Sequence, residues 1–283
     1  MAAFYNQATL SYNGGTVYSN IASGELLDVL AINKNAVTGE YAQGGDVTYV
    51  VNLINSGGTA ITGLTLTDDL GAYEYGGQTL LPLQYTEGSV NYFVNGVLQA
   101  PPAVAAVDPL TVNGISVPAG GNAAIVYSAS VTEYASPEEG GSIVNTVTAG
   151  GGGIAEITAS ATVNASSAPQ LEMLKAVSPA VVADNGSLTY TFTIRNYGAA
   201  EAGADESIVL NDTFDPLLSG IVVTYNGAAW TAGTDYAYDP ATGVFTTTAG
   251  GITVPAATFT QDADTGAWTV TPGAAVVTVT GTV

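Results

Sequence analysis

The chain has no cysteine and no histidine, and only 3 of its 283 residues are lysine or arginine. Without cysteine there is no disulfide and no thiol nucleophile, and without histidine the commonest general base and zinc ligand is missing too. Against 24 acidic side chains, the three basic ones leave a net charge of −21. That balance argues against partners that demand clustered Lys and Arg, namely nucleic acid and anionic membrane surfaces. No apolar run approaches the length that spans a bilayer, so membrane insertion is not expected. Serine and threonine are abundant but have no histidine partner for a hydrolase triad, and Glu138-Glu139 gives no basis for a glycosidase pair. No cofactor is implied. No metal is implied either: Asp262-Ala-Asp264-Thr-Gly266 looks like part of a calcium loop but lacks the later Glu, and it reads as a hairpin turn. An enzyme acting on an external substrate is therefore not expected.

What remains is a β pattern. Hydrophobic residues make up 47% of the chain and the acids are dispersed, which separates it from a disordered acidic tail. Apolar residues alternate with polar ones between recurrent turn signals such as Asn95-Gly96 and Asn226-Gly227. The predicted class is all-β, two tandem immunoglobulin-like Greek-key β-sandwiches.

An internal repeat sets the organisation. Gly45-Asp-Val-Thr-Tyr49 matches Gly186-Ser-Leu-Thr-Tyr190, and each is followed by an Asn and a Gly, Asn55 with Gly57 and Asn196 with Gly198. Lys34 and Lys175 share the same 141-residue offset. Further on, Leu66-Thr-Asp68 matches Leu210-Asn-Asp212, and Gly114-Ile-Ser-Val-Pro118 matches Gly251-Ile-Thr-Val-Pro255. The first copy continues past Val131 into a glycine-rich hairpin, Ile143 through Val163, which the second copy does not show before Val283. The segment ahead of the first copy resembles that hairpin: Asn6-Gln-Ala-Thr-Leu10 is similar to Asn145-Thr-Val-Thr-Ala149, and Ser19-Asn-Ile-Ala-Ser23 to Thr158-Ala-Ser-Ala-Thr162.

This arrangement predicts residues 1–25 as a donor arm, 26–166 as a first sandwich and 167–283 as a second sandwich lacking its closing strands. An open sandwich is completed by β-strand addition, and a donor on another molecule makes a head-to-tail contact that propagates into a fibre. The predicted partner is a homopolymer of the same chain, with no host ligand specified. Two other readings stand beside it. In one, residues 1–25 pack as an ordinary first hairpin on the first sandwich. In the other, the chain is an adhesin or carbohydrate-binding surface module whose domains form a stalk, with exposed tyrosines as its contact surface.

Strand alternation gives a second prediction. Leu30, Ile32 and Lys34 share a face, as do Leu171, Met173 and Lys175. Asp68 and Asp212 have core parity in their strands, and so does Asn145. On the arm, Phe4, Asn6, Ala8 and Leu10 share one face, the predicted donor face. A lysine on a core face must be paired or neutral. Either it forms a buried ion pair with Asn as hydrogen-bond partner, or the neutral amine attacks the Asn side-chain carbonyl to form an isopeptide bond, with Asp68 or Asp212 shuttling protons. The trios are Lys34, Asp68 and Asn145 in the first sandwich, and Lys175 and Asp212 with an arriving Asn6 in the second.

The run Leu174-Lys-Ala-Val-Ser-Pro179, with Gly186 to Tyr190, Asn196-Tyr-Gly198 and Leu210-Asn-Asp-Thr-Phe214, resembles the repeat family known as domain of unknown function eleven. The first copy shares Lys34, Gly45 to Tyr49, Asn55 to Gly57 and Asp68, and Asn145-Thr-Val-Thr resembles the family's closing motif. The resemblance implies immunoglobulin-type sandwiches strung along bacterial and archaeal surface proteins, with a structural or adhesive role. The opening Met1-Ala-Ala-Phe-Tyr-Asn6 lacks the charged and apolar regions of a secretory signal. That start is similar to short proteins of spore-forming anaerobes, so the expected location is an extracellular or spore-surface fibre.

Overall fold

A computed structural model describes residues 2–26 and 29–283, and Met1, Leu27 and Asp28 lie outside the described residues. Apart from one short 3-10 turn at Ala204–Glu206, the regular structure described is β-strand. The chain divides into two compact units, residues 1–135 with 142–164, and residues 136–141 with 165–283.

In the first unit two antiparallel sheets face each other. One runs in the order Val97–Leu98, Asn91–Val94, Asn122–Val131, Asp46–Asn55, Leu30–Ala36. The other runs Ala103–Val107, Leu110–Val117, Ile61–Asp68, Ser142–Gly151, Ile154–Ala165, Glu40–Tyr41. The Asp46–Asn55 strand pairs with Leu30–Ala36 and Asn122–Val131, while the next long strand, Ile61–Asp68, crosses to the other sheet, which gives the Greek-key crossing. Alternation along both strands buries Val47, Tyr49, Val51, Leu53, Ile125, Tyr127 and Ala129 against Leu64, Leu66, Val112 and Val147 from the opposite sheet. Each large apolar side chain enclosed this way contributes about 1.5–3 kcal/mol.

The second unit repeats the first sheet, in the order Leu171–Ser178, Ser187–Asn196, Gly273–Thr282, Ser219–Tyr225, Ala228–Ala229. Its second sheet has three strands, Asn211–Thr213, Val244–Thr247 and Tyr236–Tyr238, in that order. Phe192, Phe214, Phe245, Val277 and Val279 form the core. The repeated Asn and Gly motif is a structural clamp. Asn55 Nδ2 donates to the Thr59 and Pro118 carbonyls while Oδ1 accepts from Gly57 N, and Asn196 makes the matching bonds to Ala200 and Gly198. In each copy the side chain ties down the loop that follows its strand, which is why the motif recurs.

Residues 2–26 form a hairpin of their own. Ala2–Asn6 pairs with Ala22–Leu26 and Thr9–Tyr12 with Gly15–Tyr18, and these strands join no other strand among the described residues. Asn13, at φ 44°, and Gly14, at φ 79°, make its two-residue turn, which needs left-handed backbone at both positions.

Candidate functional site: a closed and an open lysine–aspartate site

In the first sandwich Lys34 projects inward from the Leu30–Ala36 strand, and its Nζ lies 2.6 Å from Asp68 Oδ2. The lysine side chain is 0% exposed and the Asp68 side chain 3%. The same Oδ2 accepts a 2.5 Å hydrogen bond from the Tyr127 hydroxyl, and Asp68 Oδ1 accepts from Leu70 N. Tyr127 in turn accepts from Asn145 Nδ2 at 3.3 Å. Asn145 is fully buried, and its Oδ1 has no hydrogen-bond partner. The Lys34 ammonium also lies 4.8 Å from the Tyr49 ring centroid. Burial pushes the Lys34 amine below its usual 10.5, and the Asp68 charge offsets part of that shift. Tyr127 is pushed well above its usual 10.0, first by burial and then by the Asp68 charge.

The structure thus links Lys34, Asp68 and Asn145 through Tyr127, a residue the sequence reading did not select. Its signal was available: Tyr127 faces Tyr49 across the sheet, while in the second sandwich Val279 faces Tyr190 at the matching place.

The second sandwich holds the same pair in the open. Lys175 Nζ forms an ion pair with Asp212 Oδ2, above the rings of Tyr190 at 4.7 Å, Phe192 at 5.5 Å and Phe214 at 5.7 Å. The Lys175 side chain is 41% exposed. The inward-parity neighbours Leu171 and Met173 are exposed as well, at 45% and 55%. Core parity therefore does not make these residues core in the chain by itself, because parity buries a side chain only where a facing strand covers it. In the first sandwich the strand beside Asp68 is Ser142–Gly151, with Val147 opposite Asp68 and Ala149 opposite Leu66. Among the described residues, the Asn211–Thr213 strand has a partner on one side only, Val244–Thr247. An apolar groove of about 350 Å³ lies on that open side, lined by Leu171, Met173, Ile194, Ile208 and Leu210 with neighbouring polar groups.

The N-terminal hairpin reproduces the pairing of the first sandwich's closing hairpin. Asn6 pairs with Ala22 and Asn145 with Ala161, so both arms are displaced by the same 139 residues. Each returning strand carries a one-residue bulge, opposite Asn6 to Thr9 in the arm and opposite Ala149 to Gly151 in the closing hairpin, and beyond it Tyr12 pairs with Gly15 and Gly151 with Ile154, again at 139. Phe4, Asn6, Ala8 and Leu10, the predicted donor face, are all exposed to solvent. Within its own unit the Lys175 ammonium is held by Asp212.

The Asp262 loop is the turn of the hairpin Thr258–Gln261 with Trp268–Thr271, and Asp262 Oδ1 accepts from the backbone of Asp264 and Thr265. No helix among the described residues is long and apolar enough to cross a membrane.

No family model matches the chain, and no curated protein does. Among solved structures it is similar to BcpA, the major pilin subunit of Bacillus cereus, with 12% identity over 96% of this chain and 73% of that one at a TM-score of 0.35. It is also similar to the pilus backbone RrgB of Streptococcus pneumoniae, with 12% identity, TM-score 0.34 and 86% of this chain covered, which spans 55% of RrgB. A third likeness is to the collagen-binding domain of a Staphylococcus aureus adhesin, with 14% identity over 50% of this chain and 99% of that domain at a TM-score of 0.31. The likeness is one of β-sandwich fold alone.

Proposed function

We propose that the chain is a structural subunit of an extracellular filament, in which the N-terminal hairpin of one copy closes the second sandwich of the next. The observation that carries this reading is the pairing of a vacant strand position beside Asp212 with an exposed hairpin built in the register of Ser142–Ala165. Each copy has one hairpin and one groove, so the contact is heterologous and repeats head to tail. Only three residues separate the end of the hairpin's last strand at Leu26 from the start of the Leu30 strand.

Docked in the register of the closing hairpin, Ala8 lies opposite Asp212, and Asn6 takes the place that Asn145 has beside Lys34 and Asp68. The incoming strand then encloses the Lys175 amine as the Lys34 amine is enclosed in the first sandwich. That amine attacks Asn6 Cγ, the Cγ–Nδ2 bond breaks, a Cγ–Nζ amide forms, and Asp212 carries the proton from Nζ to the departing ammonia. The same chemistry in the first sandwich joins Lys34 to Asn145 with Asp68 as shuttle. Its enclosed amine and the unpartnered Asn145 carbonyl support this reading. The result is a fibre without disulfides that is welded both within and between subunits.

Negative-stain microscopy of the full chain and of a chain lacking residues 1–26 tests the reading. Filaments from the first and none from the second are expected, with a ladder that withstands hot detergent. Monomers from both would overturn the filament. Filaments that dissolve in detergent would overturn only the weld between subunits.

A further inference from the structure

Resting on that filament reading, we infer that Leu10 is the residue that reads the groove, and that Tyr12 keeps the hairpin out of the first sandwich. In the closing-hairpin register Leu10 takes the position of Ala149, which lies opposite Leu66, and the counterpart of Leu66 is Leu210. Leu10 therefore enters between the two sheets at the groove lined by Leu171, Met173, Ile208 and Leu210. The first sandwich fills the matching place with an alanine that is fully buried, so the space there takes no larger side chain. The second sandwich leaves room for the extra methylenes of leucine, and 65% of the Leu10 side chain is exposed until it docks.

Two positions further on, Tyr12 takes the place of Gly151. A Cβ at Gly151 would stand 2.9 Å from the Gly63 carbonyl oxygen, and one at Gly152 would stand 2.8 Å from that of Thr62. Gly151 also has a φ of 84°, which suits glycine and not tyrosine. The hairpin thus cannot displace Ser142–Ala165 from the first sandwich of any copy. In the second sandwich the chain takes another course: the regular strand starts only at Asn211, and upstream lies the 3-10 turn Ala204–Glu206, whereas Thr62 and Gly63 belong to the continuous strand Ile61–Asp68. One hairpin then has one acceptor, and the fibre has a single polarity without branches.

The test uses the chain lacking residues 1–26, whose two sandwiches share no strand pairing with the removed hairpin. The probe is a labelled peptide of residues 1–26 carrying Asn6→Ala, so that no covalent bond masks the equilibrium. Binding of one peptide per chain is expected, weakened roughly thirtyfold or more by Leu10→Ala and less than about threefold by Leu10→Met. Chemical cross-links should map to residues 171–173 and 208–211. If the unsubstituted probe fails to bind, the filament reading itself falls. If it binds and Leu10→Ala binds equally well, only the anchor is overturned. Two peptides per chain, or cross-links to residues 61–68, would overturn the role given to Tyr12.

Discussion

The Lys34 ammonium and the Asp68 carboxylate meet at 2.6 Å with the lysine side chain sealed from solvent, whereas the equivalent Lys175–Asp212 pair stands 41% open on its lysine side. The difference is one strand. It sets the stability each pair can supply. Lys34→Met leaves Asp68 enclosed without its partner, removes the proposed link to Asn145 as well, and should destabilise the first sandwich by at least about 3–5 kcal/mol in urea denaturation. Lys175→Met in the unpolymerised chain should cost about 1 kcal/mol or less, because water already screens that pair.

Tyr127→Phe removes the hydroxyl that donates to Asp68 and accepts from Asn145. The expected loss is about 1–3 kcal/mol, the cost of leaving enclosed polar groups unmatched. Intact mass should show the unsubstituted chain lighter by one ammonia from the first sandwich. The Tyr127→Phe chain should lose that ammonia more slowly, and Asn145→Ala not at all.

Alkaline stability should fall in a defined window. Burial, aided by the nearby Tyr73, pushes Tyr41 from 10.0 up to about 12. Between those values the unfolded chain releases the phenolic proton while the folded chain keeps it, so unfolding becomes easier as pH rises. Denaturation midpoints followed from pH 9 upward should decline through about 10 to 12. Tyr41→Phe should flatten part of that decline, leaving the parts that Tyr49, Tyr73 and Tyr127, each raised first by burial, contribute.

Blocking the open edge should stop docking without unfolding the acceptor. Leu210 turns both its N–H and its carbonyl toward Thr247, so the flanking Val209 and Asn211 present theirs to the vacant side. Val209→Pro deletes one of those donors. The thermal midpoint of the chain lacking residues 1–26 should stay within a few degrees, while affinity for the hairpin peptide drops more than about tenfold. Unchanged affinity would mean that the hairpin does not pair there.

Sequence alternation made the sheets and the Lys34–Asp68 pairing legible, because period-two patterning fixes parity and the repeat fixes equivalence. It could not show which inward positions are covered. Leu171, Met173 and Lys175 carry the same pattern as Leu30, Ile32 and Lys34, yet they remain exposed because coverage depends on a strand distant in sequence. Tyr127 was missed for a related reason. A tyrosine in a strand reads as sheet propensity until its hydroxyl is seen between two polar groups. The shared 139-residue displacement of the two hairpins was half visible, as similar residues, and only the strand pairing shows that the two-residue turns agree as well, while the bulge comes earlier in the arm.

Because the hairpin's strands pair with each other and, among the described residues, with no strand of either sandwich, receiving and giving are separable properties of this molecule. A copy shorn of its first residues could still be captured at a growing tip and would offer nothing to the next arrival. The mean length of an assembly would then follow from the proportion of such stoppers in the mixture, a dial set by proteolysis rather than by affinity.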